Sequence, residues 1–384
     1  MDVGRWTLDV RFQIVTSPEN VRAFRRSLLR WFRRDGRDLP WRRTCDPYVI
    51  LVSEYMLQQT QVATVVPYYD KWLHRFPDFA SVARASQNDV LHAWQGLGYY
   101  NRARNLHATA GIVQNRHRGI FPSDIAAIRE LPGVGRYTAN AVATFAFNQP
   151  VPIVEANTAR VLARLFDMRS PIDSAIGREK LWENAAQLVP RHNAARFNSA
   201  LVDLGAIVCL PDKPKCNICP VKEFCRAKNP ETLPIKKSKP RTKRLIERHA
   251  FVVSEGKILL EQSARRWRGM WILPRLETRA FGQPLYKSTF PFTYHQITLV
   301  VHARPAPRSV ARAQQWFRSI DLIAMPSPHR RAALAILGRF LSRDCRSWSA
   351  QNKQHHHASS GRQNRDWNPK SRVLPKTDLD MIAG

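Results

Sequence analysis

Leu131-Pro132-Gly133-Val134-Gly135-Arg136-Tyr137-Thr138-Ala139 is the stretch on which the reading of this chain turns. Apolar residues at helical spacing flank it, in Ile125–Glu130 before and Tyr137–Phe147 after. Such a segment can be a plain interhelical turn. Its two glycines also let the backbone turn tightly and bare its N–H groups. At the start of the following helix those groups make an anion site suited to a DNA phosphate. Gly133, Gly135, Arg136 and Tyr137 are therefore candidate DNA-binding residues.

The helical pattern extends outward from this turn over residues 21–228. It recurs in Val21–Phe32, Tyr48–Tyr69, Asp89–Trp94, Ala103–Val113, Thr158–Phe166 and Ala195–Val208. Pro47 is placed to open a helix, Ser123 to cap one and Pro67 to kink or end one. Residues 229–245 are rich in Pro, Lys and Arg without apolar periodicity and read as a basic linker. Beyond it Ala250–Val253, Ile258–Glu261 and Thr298–Ala303 read as short strands of a second domain, 246–343. The ends, 1–20 and 344–384, read as an extension and a disordered tail; the tail's His355–His357 run has no neighbouring Cys or acid.

Of 384 residues, 61 are Lys or Arg and 30 are Asp or Glu, a formal charge of +31. That excess favours a polyanionic partner, above all nucleic acid. No run reaches the ~18 apolar residues of a membrane helix, so no membrane partner is expected. The first twenty residues lack the layout of a signal peptide. The expectation is a monomer in the cytoplasm, associated with the nucleoid.

Four of the six cysteines fall in Cys209-x6-Cys216-x2-Cys219-x5-Cys225. In a reducing compartment such a cluster favours a metal site over disulfides. Four thiolates can hold zinc or an iron–sulfur cluster. Lys213, Lys215 and Lys222 stand in or beside the loop, within reach of phosphates.

Ser53-Glu54-Tyr55-Met56-Leu57-Gln58-Gln59-Thr60-Gln61-Val62 supplies the chemistry. Glu54 is the only charged residue between Pro47 and Tyr69. It is either a Glu on an exposed stripe or a carboxyl whose pKa desolvation raises, a fit general acid near neutral pH. The amides after it, Gln58 among them, suit the gap left by a flipped base.

These segments, with Trp94-Gln95-Gly96-Leu97-Gly98-Tyr99-Tyr100-Asn101-Arg102-Ala103-Arg104-Asn105-Leu106, the glycine turn and the cysteine loop, resemble the MutY-type adenine DNA glycosylases in order and spacing. The resemblance is dense over residues 21–228. It implies a mainly α, helix-hairpin-helix DNA glycosylase fold with a 4Fe–4S cluster on Cys209, Cys216, Cys219 and Cys225. It also implies Glu54 as the acid on adenine, Gln58 and Tyr99 as wedges in the DNA stack, and Arg102 and Arg104 as backbone contacts. Double-stranded DNA carrying a mismatch or an oxidised base is the implied partner. In Ile153-Val154-Glu155-Ala156-Asn157-Thr158-Ala159-Arg160-Val161 the family places an Asp that stabilises the sugar cation; here it is Glu155, which opens the following helix on its other reading. Tyr137 stands where bifunctional relatives carry a Schiff-base Lys, so the resemblance implies base removal without strand cutting. Ser199 replaces a common Gln.

Trp267-Arg268-Gly269-Met270-Trp271-Ile272-Leu273-Pro274 resembles the family's nudix-like domain, a small C-terminal α/β unit that senses 8-oxoguanine. Between residues 262 and 320 stand one acid, Glu277, and ten Lys or Arg. A nudix hydrolase needs several carboxylates for Mg²⁺, so DNA binding is expected of this domain. Tyr294 or His295 stands for the family's lesion-sensing His. The implied function is adenine removal opposite 8-oxoguanine or guanine. The alternatives are a thymine–guanine mismatch glycosylase and a catalytically weak lesion-binding protein.

Overall fold

The computed structural model describes residues 17–238, 241–277 and 282–339. Most of the 1–20 extension and the whole 344–384 tail, His run included, lie outside the described residues. Contacts divide the chain into two units: Met1–Arg84 with Asn105–Lys239, and Ala85–Arg104 with Pro240–Gly384.

The first unit is helical. It holds α1 (Pro18–Asp35), α2 (Pro47–Leu57), α3 (Val62–Arg75) and α4 (Phe79–Arg84). The chain passes through α5 (Gln87–Ala93) in the second unit and returns along α6 (Asn101–His117). It continues with α7 (Ile125–Arg129), α8 (Arg136–Phe147), α9 (Ala156–Leu165), α10 (Ala175–Leu188) and α11 (Ala194–Asp203). Phe24 and Leu28 of α1 anchor one core, where Phe24 meets Phe197 and Phe224 edge-on at 6.4 and 5.8 Å. Two arginines buried on α9, Arg160 and Arg164, tie that helix to the cysteine loop.

Several local expectations are corrected. The Tyr48–Tyr69 run is two helices: Gln58 leaves α2 at ψ 109° and Gln59 adopts φ +58°. Pro67 lies inside α3 without ending it. Asp124 caps α7 in place of Ser123, its carboxylate accepting from Ala127 N at 2.9 Å. α10 was not foreseen, although Leu181, Ala185 and Leu188 bury one face of it.

The second unit is built on strands: β1 (Lys243–Phe251), β2 (Val253–Ser254), β3 (Lys257–Gln262), β4 (Trp271–Ile272), β5 (Tyr286–Phe292), β6 (His295–Ala303) and β7 (Gln314–Phe317). One sheet has the order β1-β6-β5, with β1 parallel and β5 antiparallel to β6. The other runs β2-β3-β4, with β7 also on β3. A helix over residues 327–339 contributes Ala332, Ala333 and Ile336 to the core. The last residues of the expected linker belong to β1, because Lys243 pairs with His295 of a distant strand. Ala85–Arg104 joins this unit through hydrogen bonds: Asn88 Nδ2 donates to Leu322 O at 3.2 Å, and Met325 N to Gln95 Oε1 at 3.2 Å.

Candidate active site

α2 is apolar on every face, so it is buried all round and carries Glu54 into the interior, 4% exposed. Burial pushes the Glu54 carboxyl up to about 7; a hydrogen bond from the Tyr137 hydroxyl opposes the rise, the charge of Glu155 adds to it and Arg42 opposes it. Glu54 Oε2 has no hydrogen-bond partner. The exposed-stripe reading of Glu54 is thereby excluded. Tyr137, in the first turn of α8, is the link between the glycine turn and this carboxyl, and burial raises its own pKa well above the ordinary value.

Gly133 has φ +75°, and a Cβ there would lie 2.0 Å from Asn105 Nδ2, so the turn needs glycine. Gly135 is the N-cap of α8. The Tyr55 hydroxyl donates to Pro132 O, fastening the turn to α2, and Gln58 Nε2 donates to Thr138 Oγ1 at 3.4 Å. Arg136 is half-exposed, lies 4.2 Å over the Trp182 ring and is paired with Glu179 at 3.0 Å.

Glu155 is the N-cap of α9 and closes a capping box with Thr158. Its carboxylate accepts from Thr158 N and Asn157 N, each at 2.8 Å, and from Asn157 Nδ2 at 3.2 Å. Burial raises its pKa, against the pull of those N–H groups, Arg160 and Arg37. The helix-opening reading of Glu155 therefore holds.

Sequence reasoning missed the group behind the two carboxyls. Asp203, fully buried, accepts from Arg37 and Arg42, with ion-pair distances of 2.6 and 2.8 Å. Burial alone would raise the Asp203 carboxyl, but the two guanidiniums outweigh it and hold it below the usual range. Leu39-Pro40-Trp41-Arg42 was the available signal: an arginine just ahead of an apolar helix. Arg42 also donates to the backbone oxygen of Ser199 at 3.5 Å, a contact that leaves the choice of serine there unexplained.

No disulfide joins the four loop cysteines, and electrostatic coupling runs among all of them. Burial, then the neighbouring sulfurs, push Cys219 up to about 11. Arg164 holds the loop, with Nη1 at 3.2 Å from Cys209 Sγ and 2.6 Å from Leu210 O. Among the described residues no three His, Cys, Asp or Glu side chains stand at metal-ligating geometry. The donor set nonetheless fits a four-thiolate group: four sulfurs in 17 residues, coupled in charge, around an anchored loop.

The remaining expected residues lie in the second unit. Tyr99 is 47% exposed with φ +46°, which excludes a core tyrosine. Arg102 is 5% exposed and donates to Leu97 O at 3.0 Å and Gly98 O at 3.1 Å, with its guanidinium over the Trp94 and Tyr99 rings. Through these carbonyls it shapes the loop that presents Tyr99. Arg104 is half-buried and donates to Arg268 O at 2.6 Å. Tyr294 stands in the turn between β5 and β6, 61% exposed, and His295 begins β6 paired with Phe292. No helix among the described residues is long and apolar enough to cross a membrane.

Comparison with known proteins agrees with this geometry. Residues 52–187 match the HhH-GPD superfamily of base excision DNA repair proteins. The adenine DNA glycosylase of Buchnera aphidicola subsp. Acyrthosiphon pisum is 35% identical over 262 residues, 67% of this chain and 75% of that protein. The human adenine DNA glycosylase is 44% identical over 217 residues, 54% of this chain but only 40% of the human one. A solved thermostable thymine-DNA glycosylase is 35% identical over 54% of this chain and 96% of its own, with a TM-score of 0.51. With a glycine hairpin tied to a buried acid, and with 35% identity over an alignment that spans 75% of a curated relative, this chain belongs to the MutY-type adenine DNA glycosylases of the HhH-GPD superfamily.

Proposed function

We propose that this enzyme removes adenine paired with 8-oxoguanine or guanine in double-stranded DNA, by hydrolysis of the N-glycosidic bond, and leaves the strand uncut. One observation carries the reading: Glu54 is a buried carboxyl with a pKa near neutrality and one oxygen without a partner. About half of the molecules hold its proton at pH 7, and the partnerless oxygen is free to deliver it to a ring nitrogen of the departing base. Tyr137 hydrogen-bonds the acid and offers no amine for a Schiff base, which supports base removal alone. Glu155 supplies negative charge toward the sugar cation. Water completes the hydrolysis.

The glycine turn and the N-terminus of α8 hold a DNA phosphate through backbone N–H groups. Gln58 and Tyr99 enter the base stack, and Tyr294 with His295 at the β5–β6 turn reads the partner base. Cys209, Cys216, Cys219 and Cys225 hold a 4Fe–4S cluster, which supplies metal–thiolate cross-links that brace the lysine-bearing loop. A second reading, thymine excision opposite guanine, is supported by Tyr137 and the likeness to the thymine-DNA glycosylase.

Duplexes holding 8-oxoguanine·A, G·A and G·T, incubated with the protein and then treated with alkali, test both. Breaks at adenine, dependent on alkali, are expected. Breaks at thymine instead would establish the second reading. No base release from any duplex would leave a lesion-binding protein.

A further inference from the structure

The outer face of the β1-β6-β5 sheet carries groups that the glycosylase reading leaves unused. Side chains alternate across a strand. The register pairs Ile246 with Thr298, Arg248 with Val300, Lys287 with Val300, and Ala250 with His302, which sets all of them on one face. The opposite face buries Phe251, Leu299 and Val301 in the core.

Ile246, Arg248, Lys287, Thr298, Val300 and His302, with Pro284, line a pocket of about 340 Å³, within the range of roughly 300–1,000 Å³ of small-molecule sites. Its floor is apolar, with Ile246 59% exposed. Its charged groups are Arg248 and Lys287, and no acid lines it. His302, also in the lining, is 6% exposed, and its Nδ1 lacks a hydrogen-bond partner. A buried polar nitrogen without a partner is costly. Two cations, an unsatisfied imidazole and an apolar floor make a set that an organic phosphate satisfies: charge-assisted hydrogen bonds for the anion, apolar contact for the sugar or base.

We propose that this pocket is a phosphate-binding site for a nucleotide unit, with Arg248 and Lys287 on the phosphate, His302 as a hydrogen-bonding partner, and Ile246 and Val300 beneath the organic part. The nucleotide is free or belongs to a DNA strand.

The full chain is titrated calorimetrically at low salt with inorganic phosphate, with 2′-deoxyadenosine 5′-monophosphate and with a fully paired duplex. The parent is compared with Arg248→Gln/Lys287→Gln and with Arg308→Gln/Arg312→Gln, which removes equal charge from exposed positions outside the pocket. Saturable binding of the mononucleotide is expected, weakened about tenfold or more by the pocket pair and within about twofold of the parent in the control pair. If only the duplex distinguishes the two pairs, the phosphate comes from a strand. If the parent binds neither small probe and both pairs lose duplex affinity equally, the pocket is no site and the proposal falls. Should the pocket pair fail to fold, Lys287→Gln alone, at an exposed position, is read against the same control.

Discussion

Glu54 is one residue on which stability and chemistry pull in opposite directions. Its raised value means the folded protein holds the proton more tightly than the unfolded chain, so this contribution is complete below about 4.5 and is lost as pH rises through about 7. The span amounts to ~3 kcal/mol. Glu54→Gln should therefore unfold at a higher temperature than the parent at pH 8, with the gap closing toward pH 5, while releasing no base. An equal melting temperature at pH 8 would mean the carboxyl is not desolvated. With Glu54 as the proposed acid, single-turnover base release in the parent should fall as pH rises past about 7. Glu155 behaves differently. The N–H donors at 2.8 Å set where its charge sits, and Asp caps a helix as well as any residue. Glu155→Asp should stay within about tenfold of the parent rate. Glu155→Gln, which loses the charge and half the cap, should slow base release ~10²-fold or more and cost ~1 kcal/mol. A parental rate in Glu155→Gln would remove the residue from the chemistry.

At the scale of elements, the α7–α8 hairpin ties the glycine turn to Glu54 through one helix turn, by way of Tyr137. Gly133→Ala forces a side chain into the left-handed region and onto Asn105; it should cost ~1 kcal/mol or more in thermal unfolding and weaken duplex binding. Unchanged stability and affinity would contradict the hairpin geometry. The cysteine loop is the second such element. The protein as purified should be yellow-brown, absorb near ~400 nm and contain about four irons per chain; one zinc and no iron by elemental analysis would overturn the cluster. Both elements were legible in the sequence because each is local: a turn needs glycine where φ is positive, and a cluster needs its thiols close along the chain. The hidden parts were those that the folded backbone sets, whether its partners are near or far along the chain. The resemblance implied Arg102 as a DNA-backbone contact and said nothing of its burial. Its burial follows from carbonyls three to five residues back that only the folded loop turns inward.

For the whole molecule, a charge of +31 makes duplex affinity an ion-exchange equilibrium. Each phosphate neutralised contributes a slope of roughly −0.9 in log affinity against log salt. A slope steeper than about −2 is expected from the hairpin, the loop lysines and the basic second unit together; a flat plot would refute nucleic acid as the partner. The sequence by itself determined the helical class of residues 21–228, the acid, the hairpin, the four thiols and the family, since each depends on residue type at short spacing. Only the tertiary structure decided that Glu54 is desolvated, that Glu155 caps α9, and that Asp203 with Arg37 and Arg42 stands behind both carboxyls. It alone placed Ala85–Arg104 with the strands of the second unit. Burial, ion pairing and strand register join residues far apart in the chain, and no local pattern of residue types encodes them.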